Sequence, residues 1–353
     1  MTVTAAERDA MARARELGGS VLGTTSPNPP VGAVILDADG TPVGEGATAP
    51  PGGPHAEAIA LARAGARARG GTAVVTLEPC AHTGRTGPCA DALLAAGVTR
   101  VVVAVPEPTE LAVGGADRLR AAGVDVVLGV EQADAETGAL ASWLTGVREH
   151  RPFVVWKVAA TLDGRVAAAD GTSRWITGAQ ARAAVHRLRA TCDAVVVGSG
   201  TALADDPQLT VRDADGRDVG RQPLWVVVDR HNRVPATARV RDGAAPTFVS
   251  RAANPTALLA ELFERDVRRV LLEGGPTLAA AFLREGLVDE AVMHLAPALL
   301  GSGPSLVGDL GISTIADALS LSVVEVTPLG GDVQIRLRPN RHTGSRQHAD
   351  GRS

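Results

Sequence analysis

The residues Pro54-His55-Ala56-Glu57, followed by Glu78-Pro79-Cys80 and then by Cys89, form the most informative pattern in this chain. One imidazole and two thiolates are ligands that suit zinc, and three protein ligands leave a fourth position open for water. Glu57 adds a carboxylate that is not a ligand and can carry a proton from water to a departing amine. The pattern therefore predicts a zinc-dependent hydrolytic deaminase.

Cys89 is expected at the start of a helix, because Pro88 suits a first turn and the residues after Cys89 continue a helical pattern. The helix dipole and a metal would both favour its thiolate. The alternative is chance proximity of these residues, with Glu57 a solvated carboxylate at a helix start. Cys192, the third cysteine, precedes an apolar strand and is expected to be an ordinary buried thiol.

Composition narrows the possible partners. The chain has 353 residues, 35 Lys and Arg against 39 Asp and Glu, and no Tyr. With a net charge of −4 and few aromatic residues, it offers neither a basic surface for nucleic acid nor stacking platforms for bases. No apolar run is long enough to span a bilayer, and the N-terminus lacks a signal pattern, so we expect no membrane association and a cytoplasmic setting.

Alternating helical and strand patterns predict an α/β fold in two parts. The first part has helices near 4–17, 115–122 and 131–149 and strands at 31–36, 72–77, 100–105 and 124–128. A second α/β block opens after Arg151-Pro152. We therefore expect one domain at 1–149, a second at 151–339, and a disordered tail at 340–353.

The second block begins with an apolar strand at 153–161 that carries Lys157, the only lysine. A lysine in such a strand requires a partner or a ligand, unless it is an edge residue that snorkels to solvent. Two later strands end in Gly198-Ser199-Gly200 and Gly274-Gly275-Pro276. Both turns resemble phosphate-binding helix starts, although each alone could equally be an ordinary strand-ending turn.

Further motifs accompany these in a fixed order: Thr25–Pro29, Thr161–Arg165, Ser173–Thr177, Leu203–Pro207 and Glu273–Pro276. Together with the zinc motifs, this set resembles the bifunctional deaminase–reductase of riboflavin biosynthesis over the chain up to about Pro339. The resemblance implies an N-terminal cytidine-deaminase-like α/β/α domain and a C-terminal dihydrofolate-reductase-like α/β domain.

The resemblance also implies two consecutive reactions on a small phosphorylated pyrimidine. The first is hydrolytic deamination of 2,5-diamino-6-ribosylamino-4(3H)-pyrimidinone 5′-phosphate with one Zn²⁺. The second is NADPH-dependent reduction of the ribosyl group, which gives 5-amino-6-ribitylamino-uracil 5′-phosphate. We further expect a homo-oligomer.

Residue roles follow from the matched positions. His55, Cys80 and Cys89 would bind zinc, and Glu57 would be the proton shuttle. The pyrimidine of the first substrate would contact Asn28, His82 and Arg85. NADPH would contact Ala159, Trp175, Thr201, Asp205, Gly275, Pro276, Thr277, Leu278, Ala279, Ala280 and Ala281. The second substrate would contact Lys157, Ser173, Arg189, Leu209, Arg212 and Glu273, and we expect Lys157 and Asp205 to organise hydride transfer.

Some alternatives stay open. His82 and Arg85 could instead serve loop hydrogen bonding around the metal, and Arg189 could lie on a solvated helix face. The chain departs from the family pattern at Ala47-Thr48, Gly87, Thr109-Glu110 and Arg230, the last of which could hold the NADPH phosphate differently.

Two other functions are alternatives to the predicted activity in riboflavin biosynthesis. A deaminase of tRNA or free nucleosides would share only the zinc motif. A zinc-stabilised binding protein would have a closed four-ligand site and would be indifferent to Glu57→Gln.

Overall fold

Two β-sheets organise the chain in the computed structural model, which describes residues 2–81, 87–213 and 215–340. A five-stranded sheet belongs to the first part, and an eight-stranded sheet belongs to the second. No helix in the described part of the chain is both long and apolar enough to cross a bilayer. The α/β prediction is confirmed.

The first sheet has the strand order β2-β1-β3-β4-β5, in which β1 is antiparallel to both neighbours and β3, β4 and β5 are parallel. The elements are α1 Ala5–Ser20, β1 Gly32–Leu36, β2 Pro42–Ala47, α2 Ala56–Ala64, β3 Thr72–Leu77, α3 Cys89–Ala96, β4 Arg100–Val105, α4 Gly115–Ala121, β5 Asp125–Val127, α5 Gln132–Thr137 and α6 Ala141–Glu149. The start of β1 and the ends of β2, β3 and β4 therefore meet at one edge of the sheet.

The second sheet has the order β12-β13-β11-β6-β10-β7-β8-β9, and its strands are parallel except for β13, which is antiparallel to β11 and β12. Its elements are β6 Phe153–Thr161, α7 Ala179–Ala190, β7 Ala194–Gly198, α8 Ser199–Asp205, β8 Leu224–Val228, β9 Thr247–Ser250, α9 Pro255–Phe263, β10 Arg269–Leu272, α10 Pro276–Arg284, β11 Glu290–Ala296, β12 Leu321–Leu329 and β13 Asp332–Pro339. The carboxyl ends of the parallel strands line one edge, where open α/β sheets bind ligands.

Buried apolar strands hold each half together. All five residues of β1 are buried, and so are the last five of β4. Trp225 and Phe282 are fully buried in the second half. Each such side chain contributes about 1.5–3 kcal/mol when it leaves water.

Four local details differ from the expectations. Helix α1 continues past Gly18 to Ser20, the helix expected over 131–149 is broken into α5 and α6, and β2 was not predicted. Pro88 precedes the first helical residue instead of occupying it, and Cys89 begins α3 as expected.

Candidate active sites

His55, Cys80 and Cys89 converge at the edge of the first sheet. His55 is the residue that precedes α2, Cys80 lies three residues beyond β3, and Cys89 begins α3. The Nδ1 atom of His55 lies 3.2 Å from the Sγ atom of Cys89 and 3.7 Å from that of Cys80. All three ligand atoms lie within 4.8 Å of one another.

These distances fit one zinc ion. Zn–N and Zn–S bonds of about 2.0 and 2.3 Å at a tetrahedral angle place nitrogen and sulfur roughly 3.6 Å apart. Within the described residues, no fourth His, Cys, Asp or Glu joins the cluster. One imidazole and two thiolates are the donor set of catalytic zinc sites that keep a position open for water, and the described residues add no fourth ligand that would close the site.

The two thiol groups of the cluster share a proton unequally: the hydrogen bond to Cys80 and burial raise the pKa of Cys89, so the thiolate expected at Cys89 requires the metal. A hydrogen bond from the Cys89 thiol, together with His55, lowers the pKa of Cys80 to about 4. The backbone N–H of Cys89 also donates to the Sγ atom of Cys80 over 3.4 Å. Cys80 is thus ready as a thiolate, the form that binds metal.

Glu57 is the second residue of α2 and is only 4% exposed. Burial raises its pKa, and the neighbouring His55 opposes this effect. A buried carboxyl group with a raised pKa is suited to accept a proton and then release it during a reaction. The solvated-carboxylate alternative for Glu57 is therefore wrong.

Close backbone packing fixes the loops that carry the ligands. A Cβ atom on Gly46 would lie 2.1 Å from the carbonyl oxygen of Ala56, so β2 rests directly on the start of α2. A Cβ atom on Gly115 would lie 1.7 Å from the carbonyl oxygen of Pro79, so α4 rests on the residue before Cys80.

Glu78, which sequence reasoning did not single out, ties these loops together. Its carboxylate is 6% exposed and accepts from the backbone N–H of Glu107 over 3.1 Å and from that of Ala116 over 2.9 Å. It therefore joins the loops after β3 and β4 to the start of α4. Its position beside Cys80 in sequence was the available signal.

The expected pyrimidine contacts are only partly described. Asn28 is half-buried in the turn before β1, at the same sheet edge as the zinc ligands. His82 and Arg85 lie outside the described residues. Among the departures, Thr48 is buried and bonds to Val31, and Thr109 caps the Glu107 carboxylate.

A cavity of about 1160 Å³ runs along the carboxyl edge of the second sheet, from β6 to β8. Single ligand pockets typically measure about 300–1000 Å³, so this one has room for a dinucleotide and part of a second ligand. Most of the expected reductase residues line it: Lys157, Ala159, Ser173, Trp175, Arg189, Thr201, Asp205, Leu209, Arg212, Glu273, Gly275, Pro276, Thr277, Leu278 and Ala281. Ala279 and Ala280 do not, because they are 0% and 2% exposed in the core behind α10.

The cavity floor carries a buried charge cluster. The Nε and Nη2 atoms of Arg189 donate to the two carboxylate oxygens of Glu273 over 2.7 and 2.8 Å, and its Nη1 atom donates to the carbonyl of Thr210. Although burial alone would raise it, Arg189 holds the pKa of Glu273 below its usual value. Arg189 is 8% exposed, so its interpretation as part of a solvated helix face is wrong.

Lys157 lies beside this pair on an interior strand, because β6 is flanked by β11 and β10. The edge-residue alternative is therefore wrong. Burial lowers the pKa of Lys157, and the Glu273 carboxylate partly counteracts that shift.

The start of α10 faces the middle of the cavity. Gly275 precedes the helix, Pro276 opens it, and no side chain caps its first amides. The Oγ1 atom of Thr201 accepts from the backbone N–H of Gly275 over 3.2 Å. Uncapped amides and the helix dipole suit a phosphate group here, so the donors fit a phosphorylated dinucleotide.

Other cavity residues carry charge or an exposed ring. Trp175 is 70% exposed, and the Arg182 guanidinium lies 4.5 Å from its ring centre. Arg230 and Arg233 lie at the β8 end, where Arg233 donates to the Ser199 hydroxyl over 2.6 Å. Sequence reasoning did not identify Arg182 or Arg233, because neither belongs to a motif that marks a ligand.

Comparisons with known families agree with both sites. Residues 5–105 match the family model "Cytidine and deoxycytidylate deaminase zinc-binding region", and residues 152–335 match the "RibD C-terminal domain". The Riboflavin biosynthesis protein RibD of Mycobacterium tuberculosis is 48% identical over 93% of this chain and 96% of its own length. That of Escherichia coli is 40% identical over 93% and 98%.

Solved structures show the same organisation. A RibD of Acinetobacter baumannii has a TM-score of 0.85 at 38% identity, covering 95% of this chain and 99% of its own. A diaminohydroxyphosphoribosylaminopyrimidine deaminase/5-amino-6-(5-phosphoribosylamino)uracil reductase of Thermotoga maritima has a TM-score of 0.87 at 33% identity, with the same coverage. The chain belongs to the RibD family of riboflavin biosynthesis proteins, and it joins a zinc-binding deaminase half to an NADPH-dependent reductase half.

Proposed function

We propose that this chain deaminates 2,5-diamino-6-ribosylamino-4(3H)-pyrimidinone 5′-phosphate and then reduces its ribosyl group to a ribityl chain with NADPH. The observation that carries this proposal is the presence, on one chain, of a three-ligand zinc cluster beside buried Glu57 and of a cavity that faces an uncapped helix start. The products are ammonia and 5-amino-6-ribitylamino-uracil 5′-phosphate.

In the deamination step, His55, Cys80 and Cys89 would hold the metal. A zinc ion there lowers the pKa of water to about 7 and so supplies a nucleophile near neutral pH. Glu57 would take a proton from water and give it to the departing amine, which leaves as ammonia. Asn28, together with His82 and Arg85, orients the pyrimidine, since an amide offers both a donor and an acceptor to a base edge.

In the reduction step, bound NADPH would supply a hydride to C1′ of the sugar, and a proton would be added at the ring oxygen as the ring opens, which leaves NADP⁺ and the ribityl chain. Lys157 and Asp205 organise the reacting end of the cavity. Lys157 brings an amino group to the cavity floor beside the Arg189–Glu273 pair. Ser173, Leu209 and Arg212 enclose the substrate.

The cavity residues from Ala159 past Thr201 to the start of α10 would hold the cofactor. Trp175 offers an exposed ring, and the first turn of α10, with Ala281 one turn further, would hold the phosphate groups. At the β8 end, Arg230 and Arg233 would hold the 2′-phosphate, because guanidinium groups bind phosphate through paired hydrogen bonds. The departure from the family pattern at Arg230 would thus place a second guanidinium group at this end of the cavity.

We place the boundary between the two domains at residue 150, within the short link between α6 and β6.

We also propose a homo-oligomer formed through the second half. Its support is the set of exposed apolar side chains on and near edge strand β12: Ile312, Ile315, Val323, Val324 and Val326.

A cytoplasmic location suits the three unpaired cysteines, two of which must stay reduced to bind metal.

Two variants test the assignments in opposite directions. Glu57→Gln removes the proton shuttle, so deamination should fall by a factor of about 10² or more while zinc content and reduction of the deaminated intermediate persist. Lys157→Met should lower reduction and leave deamination intact. If Glu57→Gln deaminates normally, or if Lys157→Met reduces at the original rate, the corresponding role is wrong.

A further inference from the structure

The turn that carries Asn28 is held by residues from the other half of the chain. This segment, Gly23–Asn28, connects α1 to β1. The Ser26 hydroxyl donates to the Oδ2 atom of Asp193 over 2.8 Å, and Arg221 donates to the carbonyl oxygen of Gly23. Asp193 and Arg221 precede β7 and β8, so both belong to the reductase half.

Backbone packing adds to these hydrogen bonds. Gly23 has a φ of +78°, and a Cβ atom on it would lie 2.4 Å from the carbonyl oxygen of Ala190 and 2.9 Å from the carbonyl carbon of Thr191. Ala190 is the last residue of α7, the helix that carries Arg189 to the reductase cavity. The segment therefore rests directly on the reductase half.

Asp193 is a rigid acceptor. It is 3% exposed, and its Oδ2 atom also accepts from the backbone N–H groups of Arg268 and Arg269, both over 2.9 Å. Its Oδ1 atom lies 3.5 Å from Arg221. Because the backbone at the start of β10 fixes the carboxylate, Ser26 bonds to a point that the second sheet determines.

The opposite end of the segment leads to the zinc site. The backbone N–H of Asn28 donates to the carbonyl of Thr25 over 2.8 Å, which makes a tight turn. Gly32 then bonds to the hydroxyl of Thr76 near the end of β3, three residues before Pro79. A shift of Ser26 is therefore transmitted through a short, hydrogen-bonded turn to Asn28 at the deaminase site.

We infer that Asp193 and Arg221 are positioning residues for the deamination reaction, although they belong to the reductase half. They hold Gly23–Asn28 in the geometry in which Asn28 meets the pyrimidine, an inference that rests on the role of Asn28 in the proposed function. The reductase half thereby contributes to substrate affinity in the deaminase half without touching the substrate.

The test measures deamination kinetics of full-length, zinc-loaded variants without NADPH. Ser26→Ala and Arg221→Ala should each raise KM roughly ten-fold, the loss expected for one hydrogen bond that involves a charged group. The value of kcat should change much less, because Glu57 and the metal ligands are untouched. Ser26→Thr keeps the hydroxyl and should restore KM. Reduction of the deaminated intermediate should stay at the wild-type rate.

Arg338→Ala is the matched control. It removes a hydrogen bond between the halves, from Arg338 to the carbonyl of Thr137, that is remote in sequence from the Gly23–Asn28 segment. Its KM for deamination should equal that of the wild type.

Asn28→Ala distinguishes the role of Asn28 itself from the role of the contacts that hold its turn. If it raises KM while Ser26→Ala and Arg221→Ala do not, the inference is overturned and the proposed role of Asn28 stands. If Asn28→Ala leaves KM unchanged, both the role of Asn28 and the inference fail. An equal rise in KM for Arg338→Ala would also overturn the inference, since it would indicate a general effect of loosening the two halves.

Discussion

Gly115→Ala should displace a zinc ligand although residue 115 never contacts the metal. The new Cβ atom would lie 1.7 Å from the carbonyl oxygen of Pro79, and real Cβ contacts are essentially never shorter than 3.0 Å. The start of α4 and the backbone beside Cys80 must therefore move apart by at least 1.3 Å, the difference between 3.0 and 1.7 Å. Zinc sites hold their ligand distances to about 0.2 Å, so the shift exceeds this tolerance several-fold.

We expect zinc affinity to fall by a factor of about 10–100, the range for changes in groups that support metal ligands. Overpacking of this kind also costs about 1–3 kcal/mol of unfolding free energy. Competition with a chromogenic chelator measures the affinity, and deamination should fall with the zinc content. Reduction, measured on the same sample, reports whether the second half remains folded.

Gly19→Ala is the matched control, because it makes the same substitution within α1 with no atom within 4 Å of the new Cβ. It should leave zinc affinity unchanged and stabilise the protein by up to about 1 kcal/mol. Wild-type zinc affinity and deamination in Gly115→Ala would refute the view that α4 holds Cys80 in place through Pro79.

Three further predictions concern the reductase half. Arg189→Met should lower the unfolding free energy by about 3–5 kcal/mol in urea titrations, because it leaves Glu273 buried without its guanidinium partner. The double variant with Glu273→Gln should recover part of that loss. If the effects of the two substitutions simply add, the two side chains do not form the ion pair described. Arg230→Ala should weaken binding of 2′,5′-ADP about ten-fold in calorimetric titrations and leave 5′-AMP unaffected, whereas equal losses for both would exclude a contact with the 2′-phosphate. His294 is 1% exposed, and burial lowers its pKa to about 4. The unfolded chain therefore takes up a proton at His294 near pH 6.5, whereas the folded chain does so only near pH 4. Stability should therefore fall by up to about 3 kcal/mol as the pH drops from 6.5 to 4, and His294→Asn should remove that part of the urea-midpoint slope; an unchanged slope would contradict it.

The strands that could be predicted are those buried on both faces. Arg100–Val105 and Phe153–Thr161 are continuous apolar runs, which is typical of central strands, and both were predicted with the bounds that the structure shows. Strand β2 was missed because Gly44 and Gly46 normally argue against a strand. In the fold these glycines are needed, since any side chain there would collide with the backbone of α2.

The zinc cluster could be predicted because its ligands lie within 35 residues and their chemistry is specific. The Arg189–Glu273 ion pair could not, because its members are 84 residues apart and only the fold makes them neighbours. Ser26 and Asp193 are separated by 167 residues for the same reason. The burial of Ala279 and Ala280 was not predicted, because matching a segment to a family motif does not reveal which face of its helix packs against the core.

The most direct test of two consecutive activities on one chain follows the products by mass spectrometry. Purified, zinc-loaded protein is incubated with the diaminopyrimidinone ribosyl phosphate, with and without NADPH. We predict exchange of one amine for oxygen in both samples, with ammonia released, and addition of two hydrogens only in the sample that contains NADPH. Absence of the exchange in zinc-loaded protein, or exchange that is never followed by reduction, would contradict the claim that this chain carries out both reactions.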